Sequence, residues 1–477
     1  MLAGFARADV TPAIGTEVPG SLSKRFSVAI HDPLYASAMV IDDGQQRVAL
    51  VGLDNLSVKR SVVMAAREMI QDRCGIPTGN VMVGCSHTHN GGPGVGALAG
   101  DFAQAWDPDL CERLALGHAT SADPCYLQEL SQQIATAVIT ADQRKQEALL
   151  DVGRGVEDTV AFNRRFNMKD GTQVTHPGKG NPDIVEPAGP TDPEVGVISA
   201  WTPDYELLGA LVNFTCHGTV FGGGTSADWI YYMRETITRA ANPNALVVFL
   251  NGACGDVTQV NNQSMQESEF GEKWSRRIGA KVGAEALKVI ADAEPGDMGP
   301  VAATSTTLKI KTREVSQERF EDALQKVNTL DPKEAEYVYM RDLVLLHEHN
   351  KWEPEATCEV QAIQVGPVVF LANPAEYFCR FGLNIKERSQ FPFTYVVELA
   401  NGCIGYVPTP EALGPGGGGY EPRLAMSSRL VAEAGQAIED ASVQLADSLT
   451  PGEAPPRPTV DKPGSAWGWG SSKSDED

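Results

Sequence analysis

Two hydrophobic patterns alternate along the chain. Short runs rich in Val, Ile, Leu and Phe are typical of buried strands, and longer segments with apolar residues at helical spacing are typical of amphipathic helices. The predicted strands are 47–54, 80–86, 207–216, 245–252, 362–373 and 393–401. The predicted helices are 58–73, 126–148, 267–292, 316–329, 333–349 and 425–445. This mixture predicts an α/β fold in which a mixed β-sheet core is flanked by helices.

The same pattern indicates how the chain is divided. It continues without an evident boundary, so we expect residues 1–449 to form a single large domain. Residues 169–193 are rich in Gly, Pro and Asp, which predicts a long loop of the kind that often carries function. Residues 413–419, LGPGGGG, predict a second, flexible loop. Residues 450–477 have few aliphatic side chains and much Pro, Gly, Ser and charge. They predict an acidic tail that is disordered or lies along the surface.

Composition narrows the classes of function. The 477 residues include 62 acidic and 39 basic side chains, a formal net charge of −23. Nucleic acids and anionic membranes are bound by clustered Lys and Arg, so we expect neither as a partner. No apolar run reaches the length of about 18 residues that a membrane span needs. The sequence therefore predicts a protein without stable membrane insertion and leaves a homo-oligomer open.

The cysteines and the N-terminus indicate the compartment. The cysteine count is nine, which is odd, and no pair has the spacing CxxC. This pattern favours buried thiols in a reducing compartment over a disulfide framework or a zinc-thiolate site. The first residues, MLAGFARADVTP, lack the basic and then apolar segments of a secretion signal. We therefore expect a cytoplasmic protein.

The most informative segment is 80–96, NVMVGCSHTHNGGPGVG. A predicted buried strand ends in His87 and His89, and a glycine-rich loop follows. Residues two apart on an extended segment point to the same side, so both imidazoles can face one site. Open α/β sheets bind ligands at the carboxyl ends of their strands. The pattern is compatible with a metal site and also with two loop histidines that make ordinary hydrogen bonds.

A second HxH pair, His347 and His349, serves as an internal comparison. It lies in RDLVLLHEHNKW, which has a helical pattern. On a helix these side chains diverge by about 200° and cannot share a ligand. We assign this pair to a solvated helix end.

A third histidine has the context of the first pair. His217 follows the predicted strand LLGALVNFTC and precedes a glycine-rich turn. Two carboxylates also follow predicted strands, Glu376 after VVFLAN and Asp256 after ALVVFLNG. A lone histidine at a strand end is more often structural, but two such sites together favour a shared metal. Two histidines, one carboxylate and an open position suit catalytic zinc.

Further motifs follow one another in a recognisable order. They are GFARADVTP (4–12), IHDPLYASAMVID (30–42), GCSHTHNGGPG (84–94), FNRR (162–165), NFTCHGT (213–219), TSADWIYYM (225–233), NGACGDVTQ (251–259), NGCIGYVPTPEAL (401–413) and GYEPR (419–423). In this order they resemble the motifs of the neutral, non-lysosomal ceramidase family, over about residues 4 to 440. The histidine motif is the most specific of the set.

The resemblance implies a function and a set of site residues. Members of that family are zinc-dependent amidases, so it implies hydrolysis of a linear N-acyl amide bond by metal-activated water in one catalytic domain. Motif matching implies four zinc ligands, His87, His217, Glu376 and Tyr406. It also implies three catalytic side chains, His89 beside the scissile amide, Tyr420 as a donor to the oxyanion, and Arg164 lining the site.

The substrate is expected to differ from that of the family. The ceramidases carry a C-terminal immunoglobulin-like domain, which we expect this chain to lack, and the spacer LGPGGGG precedes Tyr420. With the negative charge, these departures favour a small or lipid-like amide other than ceramide. The alternatives are a true ceramidase acting on N-acyl sphingoid lipids, a metal-dependent esterase or lactonase, a phosphoester hydrolase using Asp256, Asn251 and Asp228, and a non-catalytic metal-binding scaffold.

Overall fold

A computed structural model describes residues 1–21, 24–457 and 459 of the chain. The strands are β1 Leu2–Asp9, β2 Tyr35–Asp42, β3 Arg47–Leu53, β4 Val81–Cys85, β5 Gln146–Glu147, β6 Leu149–Val156, β7 Phe162–Asn163, β8 Arg165–Met168, β9 Gln173–Thr175, β10 Ile184–Pro187, β11 Glu194–Trp201, β12 Leu207–Phe214, β13 Leu246–Asn251, β14 Val257–Thr258, β15 Val301–Lys311, β16 Glu355–Val365, β17 Val368–Ala372, β18 Ala375–Tyr377, β19 Phe393–Val397 and β20 Gly405–Val407. The α-helices are α1 Arg60–Cys74, α2 Pro108–Gly117, α3 Pro124–Gln143, α4 Trp229–Ala240, α5 Glu272–Ala291, α6 Gln317–Lys326, α7 Ala335–His349, α8 Cys379–Arg388, α9 Pro410–Leu413 and α10 Ala434–Asp447.

Three sheets form the body of the protein. Their strand orders are β4-β3-β2-β1-β5, β13-β12-β11-β6 and β15-β16-β17-β19. Each sheet contains one parallel pair, β3 with β4, β12 with β13 and β17 with β19, and its other neighbours are antiparallel. The predicted α/β fold with a mixed sheet core and flanking helices is confirmed.

The alternation of side chains along the strands shows how the layers pack. On β13, Val248 and Leu250 enter a core that all three sheets share, whereas Val247 and Phe249 pack under α4 and α5. In the same way, α1 and α3 cover the outer face of the first sheet, and α8 and α10 cover the third. Strands buried on both faces have nearly continuous apolar sequences, which is why β13 and β17 stand out in the sequence.

Two predicted elements have different bounds in the structure. The predicted strand 362–373 is part of a hairpin in which β16 and β17 are joined at Gly366, whose φ is +56°. The apolar run continues through the turn, so hydrophobicity alone does not reveal it. The predicted helix 425–445 begins at Ala434, because the preceding segment forms isolated bridges such as Thr312 with Leu430.

The segment 169–193 is more ordered than its composition predicts. Its two strands β9 and β10 pair antiparallel with either side of β8 and form a small sheet. Thr175 at the end of β9 donates through Oγ1 to Glu421 at 2.6 Å, and Tyr420 N donates to the same Oγ1 at 3.0 Å. These bonds join 169–193 to the chain that follows the second glycine-rich segment.

Helices α2, α6 and α7 form a separate layer, and residues 450–457 lie along the surface. Helices α2, α6 and α7 enclose an apolar cluster of their own. Gly452 N donates to Gly366 O at 3.0 Å, and Arg457 Nη1 donates to Asp292 O at 3.0 Å. Residue 458 and residues 460–477 lie outside the described residues, so the prediction of a disordered tail stays a prediction there. Among the helices described, none is long and apolar enough to cross a membrane.

Candidate metal centre

The carboxyl ends of the parallel strands converge on one place. His87 follows β4, His217 follows β12, and Glu376 lies on β18 just after β17. The loops after β4 and β12 run side by side, since Thr88 forms a parallel bridge with Gly218 and His89 N donates to Gly218 O at 2.9 Å. The centre therefore lies where loops from all three sheets meet.

Three imidazoles face one another at this centre. The ligand nitrogens of His87, His89 and His217 all lie within 4.8 Å of one another. The ring centroids of His87 and His217 are 4.4 Å apart, and those of His87 and His89 are 4.9 Å apart. The predicted convergence of both strand-end histidine sites is present, and its geometry can accommodate a metal ion.

Hydrogen bonds determine which ring nitrogen of each histidine faces the centre. Each imidazole places Nδ1 against a backbone carbonyl oxygen. The pairs are His87 with Leu56 (2.9 Å), His89 with Gly20 (2.8 Å) and His217 with Val257 (3.1 Å). A carbonyl oxygen only accepts, so each Nδ1 carries a proton and each neutral ring keeps a lone pair on Nε2. Nε2 of His87 and of His89 is buried without a hydrogen-bond partner among the described residues.

A carboxylate and a phenol complete the predicted ligand set. Glu376 Oε2 lies 3.4 Å from His87 Nε2 and 3.8 Å from His217 Nε2. Tyr406 is the register partner of Glu376 in the parallel pair of β18 and β20, which places both side chains on one face. Burial and then the neighbouring Glu376 raise the pKa of Tyr406 well above its ordinary value. The strand pairing thus brings together two predicted ligands that are 30 positions apart in the sequence.

The local charges favour neutral rings on two of the histidines. Burial lowers the pKa of His89 and of His217 well below the ordinary value, and the positive charge of Arg164 lowers both further. Burial also lowers the pKa of His87, but the neighbouring Glu376 carboxylate outweighs burial and raises this pKa overall. Neutral imidazole is the form that binds metals.

Arg164 and Tyr420 lie beside the imidazoles. The buried guanidinium donates from Nη2 to Tyr406 Oη at 3.1 Å and to Gly255 O at 2.8 Å. Its Nη1 lies 3.3 Å from His217 Nε2. A metal ion bound to the lone pair of His217 Nε2 would replace this contact. The Tyr420 ring, 37% exposed, has its centroid 5.6 Å from that of Tyr406. The structure thus brings the two candidate donors to the side of the centre that Tyr406 forms.

Sequence reasoning missed Glu421, which holds this arginine in place. Glu421 is fully buried and accepts from Arg164 Nε at 2.6 Å and from Arg165 Nη1 at 2.8 Å. Burial alone would raise its pKa, but the two guanidinium groups outweigh burial and lower it. A sequence signal existed, because two adjacent arginines that become buried need a carboxylate partner.

A second missed carboxylate, Glu398, lies behind the centre. Its Oε2 accepts from Cys254 N and Tyr377 N, both at 2.9 Å. Burial raises the pKa of Glu398 to about 7. These bonds hold the loop after β13 against the strand that carries Glu376. A lone glutamate in the otherwise apolar FTYVVELAN was the available signal.

The other acidic candidates have structural partners. Asp256 accepts from Asn163 Nδ2 at 2.7 Å and from Cys379 N at 2.8 Å. Asp228 precedes α4 and accepts from its first amide at 2.6 Å. Within the described ranges the metal-competent group of histidines includes neither carboxylate. The carboxylates of the phosphoester alternative are therefore occupied by protein donors.

The second HxH pair is distant from this chemistry. His347 and His349 lie in the last turn of α7, as the helical pattern predicts. The His347 ring stacks on Phe320 at 4.1 Å, and His349 Nε2 lies 3.2 Å from Glu353. Both side chains are partly buried rather than solvated. The helix assignment is confirmed, and the pair packs against neighbouring side chains.

Gly218 permits the close approach of the two histidine loops. A Cβ at this position would lie 2.8 Å from His87 O, a contact that only a backbone shift relieves. We expect Gly218→Ala to destabilise the protein by about 2 kcal/mol, as overpacking does, and to lower its metal content. Gly222→Ala is the control, because nothing lies within 4 Å of a Cβ there. Denaturant unfolding and metal analysis check both variants, and equal behaviour would contradict the close-approach argument.

No protein-family model and no curated protein matches the chain. Among solved structures that share its fold are two ceramidases. A ceramidase complexed with C2 matches with a TM-score of 0.71 and 19% identity over 95% of this chain and 77% of that chain. The neutral ceramidase from Pseudomonas aeruginosa matches with a TM-score of 0.69 and 20% identity over 95% of this chain and 76% of that chain. The predicted likeness to the neutral ceramidases is confirmed for the fold.

Proposed function

We propose that the protein is a zinc-dependent amidohydrolase that cleaves a linear N-acyl amide bond in a substrate other than ceramide. One observation carries this proposal. Two buried imidazoles and one partly buried imidazole each donate a hydrogen bond from Nδ1 to a backbone carbonyl and direct Nε2 toward a common point. Backbone carbonyls that orient metal-binding histidines in this way are a common feature of metal sites.

The donor atoms at the centre suit zinc. Imidazole nitrogen and carboxylate oxygen are its usual ligands in hydrolases, and a site with an open position is typical of catalytic zinc. His87, His217, Glu376 and Tyr406 would hold the ion. A bound zinc ion supplies Lewis acidity, which polarises a carbonyl group and makes water a better nucleophile at neutral pH.

The side chains around the ion provide the remaining steps. The water oxygen joins the acyl carbon, the C–N bond breaks, and the nitrogen leaves with a proton as an amine. His89 is suited to move that proton, because its Nδ1 is anchored on Gly20 O and its Nε2 is free. Tyr420 Oη and the Arg164 guanidinium are the donors for the charge that develops on the carbonyl oxygen.

The two solved structures with the same fold support amide hydrolysis, and they also support the second candidate function, that of a ceramidase. Both solved structures are named as ceramidases, and ceramide is an N-acyl amide of a sphingoid base. A ceramidase is therefore the second candidate.

The net charge of −23 supports a substrate that is not presented on an anionic membrane. All nine cysteines lie in the described part of the chain without a disulfide, which supports our proposal of a cytoplasmic location.

Metal analysis combined with a substrate panel tests the proposal. We expect about one zinc ion per chain, as a single site requires. We also expect hydrolysis of N-acyl amides that a chelator abolishes and added zinc restores. The panel includes a ceramide, a carboxylic ester and a phosphate ester, with amine release and acid release measured separately. Amide hydrolysis that survives metal removal would refute the zinc mechanism, and a phosphate ester cleaved faster than any amide would refute the amide assignment.

A further inference from the structure

Arg25 lies directly beside His89. The segment around it folds back on itself, since Gly15 N donates to Ser27 O at 2.8 Å and Val18 N donates to Arg25 O at 2.9 Å. Arg25 Nη2 donates to His89 O at 2.8 Å. The same segment supplies the Gly20 carbonyl that accepts the hydrogen bond from His89 Nδ1. The segment therefore brings a guanidinium to the backbone of His89, the residue whose imidazole we place next to the leaving nitrogen.

This guanidinium has no carboxylate partner. Within the described ranges, no Asp or Glu oxygen lies within 4.0 Å of Arg25, although its neighbour Lys24 pairs with Glu17 at 2.9 Å. Arg25 Nε is buried without an acceptor. Burial lowers the pKa of Arg25, and no negative group nearby opposes that effect. A partly buried cation is thus held beside the centre with unused hydrogen-bonding capacity.

The arginines that are fully buried in the described part of the chain have carboxylate partners. Arg67 lies 2.8 Å from Glu359, and Arg164 lies 2.6 Å from Glu421. Arg313, which lacks a carboxylate partner, donates instead to two backbone carbonyls. Burial of a charge without a partner is costly, so such a charge beside a reaction centre indicates an anion that binds there.

We propose that Arg25 binds a carboxylate on the amine side of the scissile amide, so that the substrate is an N-acyl amino acid. This proposal rests on the amidohydrolase function proposed above. Arg25 is hydrogen-bonded to the backbone carbonyl of His89. Because we place His89 beside the leaving nitrogen, the free donors of Arg25 lie nearer to the amine part of the substrate than to the acyl chain. Arginine binds carboxylates through two parallel hydrogen bonds, which gives orientation as well as affinity. Hydrolysis then yields a carboxylic acid and a free amino acid.

Two ligands that differ mainly in the anionic group test this assignment. N-decanoylglycine and N-decanoylethanolamine share the acyl chain and amide, but the first ends in a carboxylate and the second in a hydroxyl group. We expect the zinc-loaded protein to cleave the glycine compound with a kcat/KM at least about tenfold higher. Calorimetry with the chelator-treated protein compares the binding of the same two compounds without turnover. If neither compound is hydrolysed, the amidohydrolase function is refuted. The binding preference still tests the role of Arg25 in that case.

Variants at this position identify the residue responsible. Arg25→Gln is expected to remove the preference for N-decanoylglycine in binding, while its affinity for N-decanoylethanolamine changes less than about twofold. Lys24→Gln is the matched control and is expected to keep the preference. If Arg25→Gln unfolds, Arg25→Lys replaces it as the test; it keeps the charge but loses the paired donors, so it is expected to weaken the preference, and an unchanged preference would contradict the proposal. Three results would overturn the proposal. They are equal affinities of the wild type for the two compounds, no binding of N-decanoylglycine, and an unchanged preference in Arg25→Gln.

Discussion

Alanine at His87 or His217 should eliminate both bound zinc and turnover. Each side chain offers a lone pair at a buried point, and Glu376 Oε2 lies 3.4 Å and 3.8 Å from the two Nε2 atoms. Loss of a residue that only orients a ligand costs about 10–100-fold in metal affinity or activity, so loss of the ligand itself should cost more. Metal analysis after dialysis and amide hydrolysis under zinc saturation measure the two effects.

The second HxH pair supplies the control for these variants. His349→Ala also removes an imidazole from an HxH pair, but this one lies at a helix end. It should keep zinc and activity. Full metal content and full activity in His87→Ala would show that the centre has been assigned wrongly.

His89→Ala distinguishes between two possible ligand sets. The resemblance makes His89 a catalytic group beside the metal, whereas geometry places its ligand nitrogen within 4.8 Å of those of His87 and His217. We expect the variant to keep zinc and to lose turnover by about 100-fold or more, as loss of a general acid does. Loss of zinc from this variant would establish a three-histidine site instead.

Removal of the Glu421 charge should have the largest effect on stability. Glu421→Gln leaves the buried guanidinium groups of Arg164 and Arg165 without their carboxylate, a change that costs about 3–5 kcal/mol in other buried pairs. It also frees Arg164 from the position in which it contacts His217 and Tyr406. We expect lower stability in denaturant unfolding and a lower kcat with a smaller change in KM.

A surface pair provides the comparison for Glu421. Glu336→Gln breaks an ion pair with Arg423 in which both side chains are about 40% exposed, and such pairs are worth about 0–1 kcal/mol. Acid offers a second test. The pKa of Glu421 is lowered from 4.5 in the folded state, so its contribution to stability is present above that value and is lost as pH falls through the folded pKa. If Glu421→Gln matches the wild type in stability and in this acid response, the network has no such role.

The strands that could be predicted share one property. β3, β4, β12, β13, β17 and β19 are buried on both faces and have continuous apolar sequences. The prediction missed β2 and β11, although both are mostly buried. It also missed β15, whose side chains alternate between partial burial and exposure and include several threonines. It also missed β9 and β10, which are short and polar and depend on pairing with β8.

The site residues divide in a similar way. His87, His89, His217 and Glu376 could be found because each follows an apolar strand, and such positions lie together at the carboxyl edges of a sheet. Tyr406 and Arg164 have no local signal and were reached through the resemblance alone. Glu421 and Arg25 were not found, because their importance depends on which charges lie beside them in space.

The sequence by itself determined the class of fold, the strand ends that carry chemistry, and the histidines that face one point. These features depend on side-chain periodicity and on the polar residues that directly follow apolar runs, both of which are local. Only the tertiary structure decided which nitrogen of each imidazole faces the centre, since that depends on carbonyls of distant residues such as Leu56 and Val257. It also decided that Arg164 is compensated and Arg25 is not, because a charge acquires its partner only when separate segments pack together.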